Sequence, residues 1–255
     1  MTVAVATLGC TRKIKDLHSW PSLMSLDGDY RLYINYELQS AGNCYMPTAE
    51  WDVLDKQVLE LRKRNPVLRM DVDTWRWQEF TGSTAWRNRP QFDQDQARLA
   101  SIVTARNMCI EYALQTGCSH LLFIDADIIP PPDIITKMLE VESDAVCGMV
   151  YGRGVHSNCP YIFGEKRRWK TQHGFELIEL EHGNIGFTML SRRLFSQVRF
   201  RYGVSEYPDG RHYMISDDPA YHLDCFIKFG QWPVLRTDVV GSHVGDLAQN
   251  ETSQF

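Results

Sequence analysis

The sequence predicts a single α/β domain built on a mostly parallel central sheet with helices against its faces. Three observations lead there. Short apolar runs, Val3 to Leu8 before Gly9 and His120 to Ile124 before Asp125, have the continuous character of strands buried on both sides. Between residues 93 and 150 the chain reads helix, strand, acidic turn, helix, strand, which is half of a doubly wound sheet. Its 255 residues, 44% apolar and 23% charged, can bury one substantial core and exclude a disordered chain.

Val3 to Leu8 is the first strand and Tyr30 to Tyr36 the second. Residues 39–92 are irregular and read as an insertion. Within them Trp51, Leu54, Val58 and Leu61 recur at helical spacing and predict a helix from Thr48 to Lys63. Asp93 with Gln96 resembles a capping pair for a helix that carries Leu99, Ile102, Cys109 and Ala113 on one side and stops at Gly117. His120 to Ile124 is a buried strand running into Asp125-Ala126-Asp127. Pro130-Pro131-Pro132 ends it, and Asp133 caps a helix from Ile134 to Val141. Asp144 to Val150 is the next strand, and a hairpin around Trp169 to Leu180 comes after it. Asn184-Ile185-Gly186-Phe187 leads into a strand, with Arg192 and Phe195 opening a helix. Ser216-Asp217-Asp218 precedes a helix from Pro219 to Phe229, closed by Gly230. Val234 to Val239 is the last strand, before Gly241-Ser242-His243-Val244-Gly245. One domain therefore spans 1–246, and 247–255 is a loose polar tail.

Composition narrows the function classes. A formal net charge of −5 argues against a wholly basic nucleic-acid surface, though not against a local basic groove. Seven cysteines with no CxxC pair predict reduced thiols and a cytoplasmic protein rather than a disulfide scaffold or a zinc site. The apolar N-terminus is too short for a signal peptide, and no apolar run approaches the ~20 residues of a membrane helix.

Asp125 and Asp127 fall just past the carboxyl end of a strand, where open α/β sheets bind ligands. Two carboxylates one residue apart at a turn can converge on a hard cation, Mg²⁺ or Mn²⁺, with a diphosphate completing the shell. The same residues have a structural reading, since aspartate caps turns and helix starts routinely. Thr7 and Gly9, at the end of the first strand, are placed to meet a nucleotide. Arg106 can reach its base or diphosphate or can belong to a solvated helix face.

Four segments in order carry a family resemblance. Ala105-Arg106-Asn107 with His120 to Asp127 comes first, then Asn184 to Phe187 with Arg192 and Phe195, then Ser216-Asp217-Asp218 with Tyr221, and finally Gly241 to Gly245. Together they resemble the GT-A glycosyltransferases, above all a compact group frequent in bacteria and their phages, over residues 1–38 and roughly 93–245. The resemblance implies a GT-A fold and a nucleoside-diphosphate-sugar donor. It implies Mn²⁺ (or Mg²⁺) held by Asp127 and His243, with Asp125 acting through the ribose or a metal-bound water. In an inverting reaction Asp218, or Asp217 second, would take the acceptor proton, against the plain reading of a helix N-cap. Two features depart from the group: Asp217-Asp218 stands where Glu-Asp is usual, and 39–92 is longer.

The acceptor is open between DNA and a saccharide. Arg12-Lys13-Lys15, Arg62-Lys63-Arg64, Arg87-Arg89 and Lys166-Arg167-Arg168-Lys170 are basic islands, with Trp75, Trp77, Trp86 and Trp169 beside cations. Cations with aromatics suit unstacked bases, and phage relatives of the group include enzymes that glycosylate hydroxymethylated bases, which would place this chain in a host cytoplasm. Tryptophan faces suit pyranose rings equally well. Two other classes remain, a nucleotidyltransferase and a non-catalytic binding protein. The single glycine of Gly9-Cys10-Thr11-Arg12-Lys13 counts against the first and the acidic set against the second.

Overall fold

The computed structural model describes residues 1–10, 20–37, 56, 58–75, 91–151, 163–206 and 212–243. The strands are β1 (Val3–Cys10), β2 (Tyr30–Glu37), β3 (Arg69–Trp75), β4 (His120–Ile124), β5 (Ile128–Ile129), β6 (Ala145–Val150), β7 (Phe163–Lys170), β8 (Glu176–His182), β9 (Phe187–Ser191), β10 (Gly203–Glu206), β11 (His212–Ile215) and β12 (Val234–His243). The helices are α1 (Trp20–Leu23), α2 (58–64), α3 (Gln91–Gln115), α4 (Ile134–Leu139), α5 (Arg192–Phe195) and α6 (Asp217–Phe229). Among the described residues no helix is long and apolar enough to cross a membrane.

The sheet runs β3-β2-β1-β4-β9-β6-β12-β8-β7, with β5 on β12 and β10-β11 a separate hairpin. β3, β2, β1 and β4 are parallel, as are β6 and β12. β9 enters antiparallel between β4 and β6, and β8 antiparallel beside β12. Side-chain alternation on the central strands supplies two cores. Val3, Val5, Leu122 and Ile124 face one cluster with Ile134, Ile135 and Met138 of α4. Ala4, Ala6, Leu121 and Phe123 face the other, with Cys109, Ile110 and Ala113 of α3. Because both faces are covered, these strands are apolar throughout, which is why they are legible without alternation.

Several expectations are corrected. The described part of 39–92 packs onto the core: β3 pairs in parallel with β2 from Arg69 to Trp75, and Val58 and Leu61 of α2 are buried in the first core. Arg-Met-Asp-Val-Asp-Thr-Trp carries little apolar signal and, among the described residues, pairs on one side only, as edge strands do. α3 begins at Gln91, so Asp93 lies inside its first turn. Asp133 makes no side-chain cap on α4. Asp27 does so from a distance, its two carboxylate oxygens accepting from the Ile135 and Thr136 amides at 2.9 and 2.8 Å. α6 begins at Asp217 behind Ser216, and β12 continues to His243. Among the described residues Cys109, Cys118, Cys147 and Cys225 are free thiols, and all four are buried.

Candidate functional site

The strand order reverses at β1, which lies between β2 and β4. β1 stays paired with β2 to Cys10 but with β4 only as far as Ala6, opposite Phe123. The two strands therefore part beyond Ala6, at the switch point where doubly wound sheets take their ligands. Thr7 is fully buried there, and its hydroxyl has no hydrogen-bond partner among the described residues.

The chain leaves β4 as Asp125-Ala126-Asp127. The Asp125 amide donates to the Gly186 carbonyl at 2.8 Å, and the Ile128 amide closes the turn on the Asp125 carbonyl at 2.9 Å. β5 then pairs with the end of β12, Ile128 opposite His243 and Ile129 opposite Ser242. The turn is thus clamped on one side by the segment leading into β9 and on the other by β12. Asp127, 7% exposed, and His243 reach neighbouring positions although more than a hundred residues separate them. The glycine of the Asn184-Ile185-Gly186-Phe187 segment has a specific reason. A Cβ on Gly186 would lie well inside contact distance of the Asp125 carboxyl carbon and Oδ2, and 2.7 Å from Oδ1. Gly186→Ala is therefore expected to push the Asp125 carboxylate out of place, with a loss of stability of about 1–3 kcal/mol from overpacking. Chemical denaturation and nucleotide binding measured on the same variant check this; a wild-type profile in both would show that the turn can yield.

Arg106, expected to reach the donor, is 5% exposed beneath this turn. Its Nη1 donates to Asp217 Oδ2 and Asp218 Oδ1, joining α3 to the first turn of α6. Burial opposes the charge, but Asp218, Asp217 and Asp125 together outweigh it and hold the guanidinium above its ordinary pKa. The flanking residues of Ala105-Arg106-Asn107 build the socket. Ala105 is buried, and the Asn107 side chain bonds both backbone groups of Phe200, at 2.9 and 3.0 Å. The Phe200 ring lies 5.5 Å from the guanidinium and stacks on Tyr221.

The two acids of α6 are not equivalent. The Asp217 side chain is 6% exposed; that of Asp218 is 26% exposed, and its Oδ2 accepts from the Ile185 amide at 3.3 Å. His222, one turn further along α6, is a residue that sequence reasoning misses. A histidine four residues after Asp218 is the available signal, but nothing in the sequence shows that it faces inward. It is fully buried, and burial pushes its pKa down to about 4. Since the unfolded chain then binds a proton that the folded one does not, stability should fall as pH drops from about 6.5 towards 4, by at most about 3 kcal/mol. His182 shifts in the same direction, also through burial. Urea melts at pH 7 and pH 5 on wild type and His222→Phe measure this, the variant giving the flatter profile.

Among the described residues no three His, Cys, Asp or Glu side chains converge closely enough to hold a cation unaided. The donor chemistry nonetheless fits a cation that arrives with a diphosphate. Mg²⁺ and Mn²⁺ are commonly held by one or two carboxylates with phosphate oxygens completing the shell, rather than by a protein cage. Asp127 and His243, with Asp125 at the start of the turn, are the residues here that match.

The fold is that of the GT-A class of nucleotide-sugar glycosyltransferases. Two solved structures match over nearly the whole chain. One is the mannosyltransferase PcManGT from Pyrobaculum calidifontis in complex with GDP-Man and Mn²⁺, with a TM-score of 0.53, 11% identity, and coverage of 94% of this chain and 56% of that one. The other is TarS from S. aureus, with a TM-score of 0.52, 12% identity, and coverage of 95% and 36%. This chain thus spans little more than half of the first and about a third of the second. No protein-family profile and no curated sequence matches it.

Proposed function

We propose that the protein is a glycosyltransferase that moves a sugar from a nucleoside-diphosphate-sugar to an acceptor hydroxyl. The observation that carries this reading is the placing of Asp125, Asp127, Asp217 and Asp218 around one end of a GT-A sheet, where β1 and β4 part. A divalent cation there would stabilise the charge that develops on the departing diphosphate. Gly9 borders the nucleotide, with Thr7, expected to meet it, buried behind, and Asp125 orients the donor from the turn that Gly186 backs. Asp218, the more exposed acid of its pair, takes the proton of the acceptor hydroxyl. That oxygen forms its bond to the sugar's anomeric carbon as the carbon–phosphate-oxygen bond breaks, its electron pair leaving with the diphosphate. Asp217 stays below as the anchor of Arg106.

The described residues favour a saccharide acceptor. In the most concentrated basic run, on β7, Lys166 pairs with Glu181 and Arg168 with Glu165 and Glu176, which reduces the charge free for a phosphate backbone. A hydroxymethylated base in DNA is the second reading. It rests on Arg62, Lys63 and Arg64, which are exposed, and on Arg12-Lys13-Lys15 and Arg87-Arg89, which lie outside the described residues.

A thermal-shift panel of nucleoside diphosphates with and without Mn²⁺ tests the reading, since a ligand that binds only the folded state raises the midpoint. A Mn²⁺-dependent shift with one diphosphate, and release of that diphosphate from its sugar conjugate, are the expected results. Release of pyrophosphate would point to a nucleotidyltransferase instead. Salt-dependent affinity for DNA oligomers separates the acceptors, because phosphate contacts weaken steeply with salt.

A further inference from the structure

Residues Gly183 to Gly186 connect β8 to β9 and are squeezed between the sheet and α6. A Cβ on Gly183 would run into the Cys147 sulfur on β6 and come within 3.9 Å of His222 Cε1. α6 grips this linker at alternate amides. Gly183 N–H donates to His222 Nδ1 at 3.4 Å, and Ile185 N–H donates to Asp218 Oδ2 at 3.3 Å. His222 and Asp218 are one helical turn apart, so both grips come from one face of α6. Within the linker the Gly186 amide donates to Asn184 Oδ1 at 2.9 Å, and the Thr188 hydroxyl donates to the Asn184 carbonyl at 2.6 Å.

We propose that His222 is a positioning residue for Asp218: by holding Gly183 it sets the Ile185 amide against Oδ2 and so fixes the orientation of the carboxylate. The inference rests on the reading of Asp218 as the acceptor base. Full burial excludes any direct contact between His222 and substrate. An acceptor at Nδ1 makes the imidazole neutral with its proton on Nε2, and that nitrogen has no hydrogen-bond partner among the described residues. A ring kept only to fill space would be better as phenylalanine, because burying an unpartnered polar nitrogen is unfavourable. Phenylalanine cannot supply the acceptor for Gly183.

Two variants separate positioning from packing. His222→Phe keeps the volume and removes the acceptor; His222→Asn loses volume but keeps an acceptor near the Nδ1 position. With His222→Phe, kcat for transfer should fall roughly 10- to 100-fold while nucleoside-diphosphate affinity stays within about twofold. Exchange of the Gly183 and Ile185 amides should quicken about 10-fold in the same variant. His222→Asn should melt lower than His222→Phe yet turn over faster. If turnover instead tracks the melting order, His222 is only core and the proposal is overturned. Unchanged Gly183 and Ile185 exchange in His222→Phe overturns it as well, whatever the protein transfers. A chain that shows the exchange change but moves no sugar keeps the grip and refutes the glycosyltransferase reading instead.

Discussion

Asp127→Asn is expected to lower sugar transfer by at least about 100-fold and to abolish the Mn²⁺-dependent stabilisation by nucleoside diphosphate, while the fold survives. The substitution keeps the shape of the side chain and replaces one carboxylate oxygen by an amide nitrogen, which cannot ligate a hard cation. Asp127 is almost buried, on a turn held by the Asp125–Gly186 backbone bond on one side and the β5/β12 pairing on the other, so its carboxylate is fixed in place. Turnover and thermal shift measured together decide the matter. Transfer within a few-fold of wild type would remove the cation from this turn, and with it the assigned chemistry.

Arg106→Met should be the most destabilising single change of the set, on the order of 3–5 kcal/mol, because it removes the counter-charge of the buried Asp217 carboxylate. For a domain of this size that corresponds to a melting midpoint lower by roughly 10 °C. The partners define the size of the effect: one guanidinium nitrogen serves both Asp217 and Asp218, and it does so at 6% side-chain exposure. Arg106→Lys should fall between, since an ammonium is a point charge and lacks the planar fork. Adding Asp217→Asn to Arg106→Met should recover part of the loss by removing the buried charge that has lost its cation. A double variant no better than the single one would show that packing against Phe200, 5.5 Å from the guanidinium, was the larger contribution.

Much of the site is legible in the sequence because its pieces are local. The strand His120 to Ile124 has the same bounds in sequence and structure, since an apolar run between a glycine turn and an acidic one has few alternatives. Gly117 and Gly230 stop their helices as expected, and both adopt a positive φ, 72° and 68°. β3 and the true cap of α4 are not legible. The edge strand draws its identity from pairing with β2, and the cap comes from Asp27, 108 residues before Ile135. Arg106 shows the limit most clearly. Its helix is evident, but a charged residue buried on a helix looks like one exposed on it until the partners are known.

Periodicity, glycine placement and the short acidic turn predicted the α/β class and the order of most elements, because each depends only on neighbours along the chain. Which residues meet was decided by folding. His243 comes beside the Asp127 turn through a strand pairing, Gly186 backs Asp125 through the entry of β9, and Arg106 locks Asp217 and Asp218 across more than a hundred residues. Such contacts join segments with no sequence periodicity in common. The pairing of β5 with β12, the entry of β9 and the packing of α3 and α6 against a shared sheet make them neighbours.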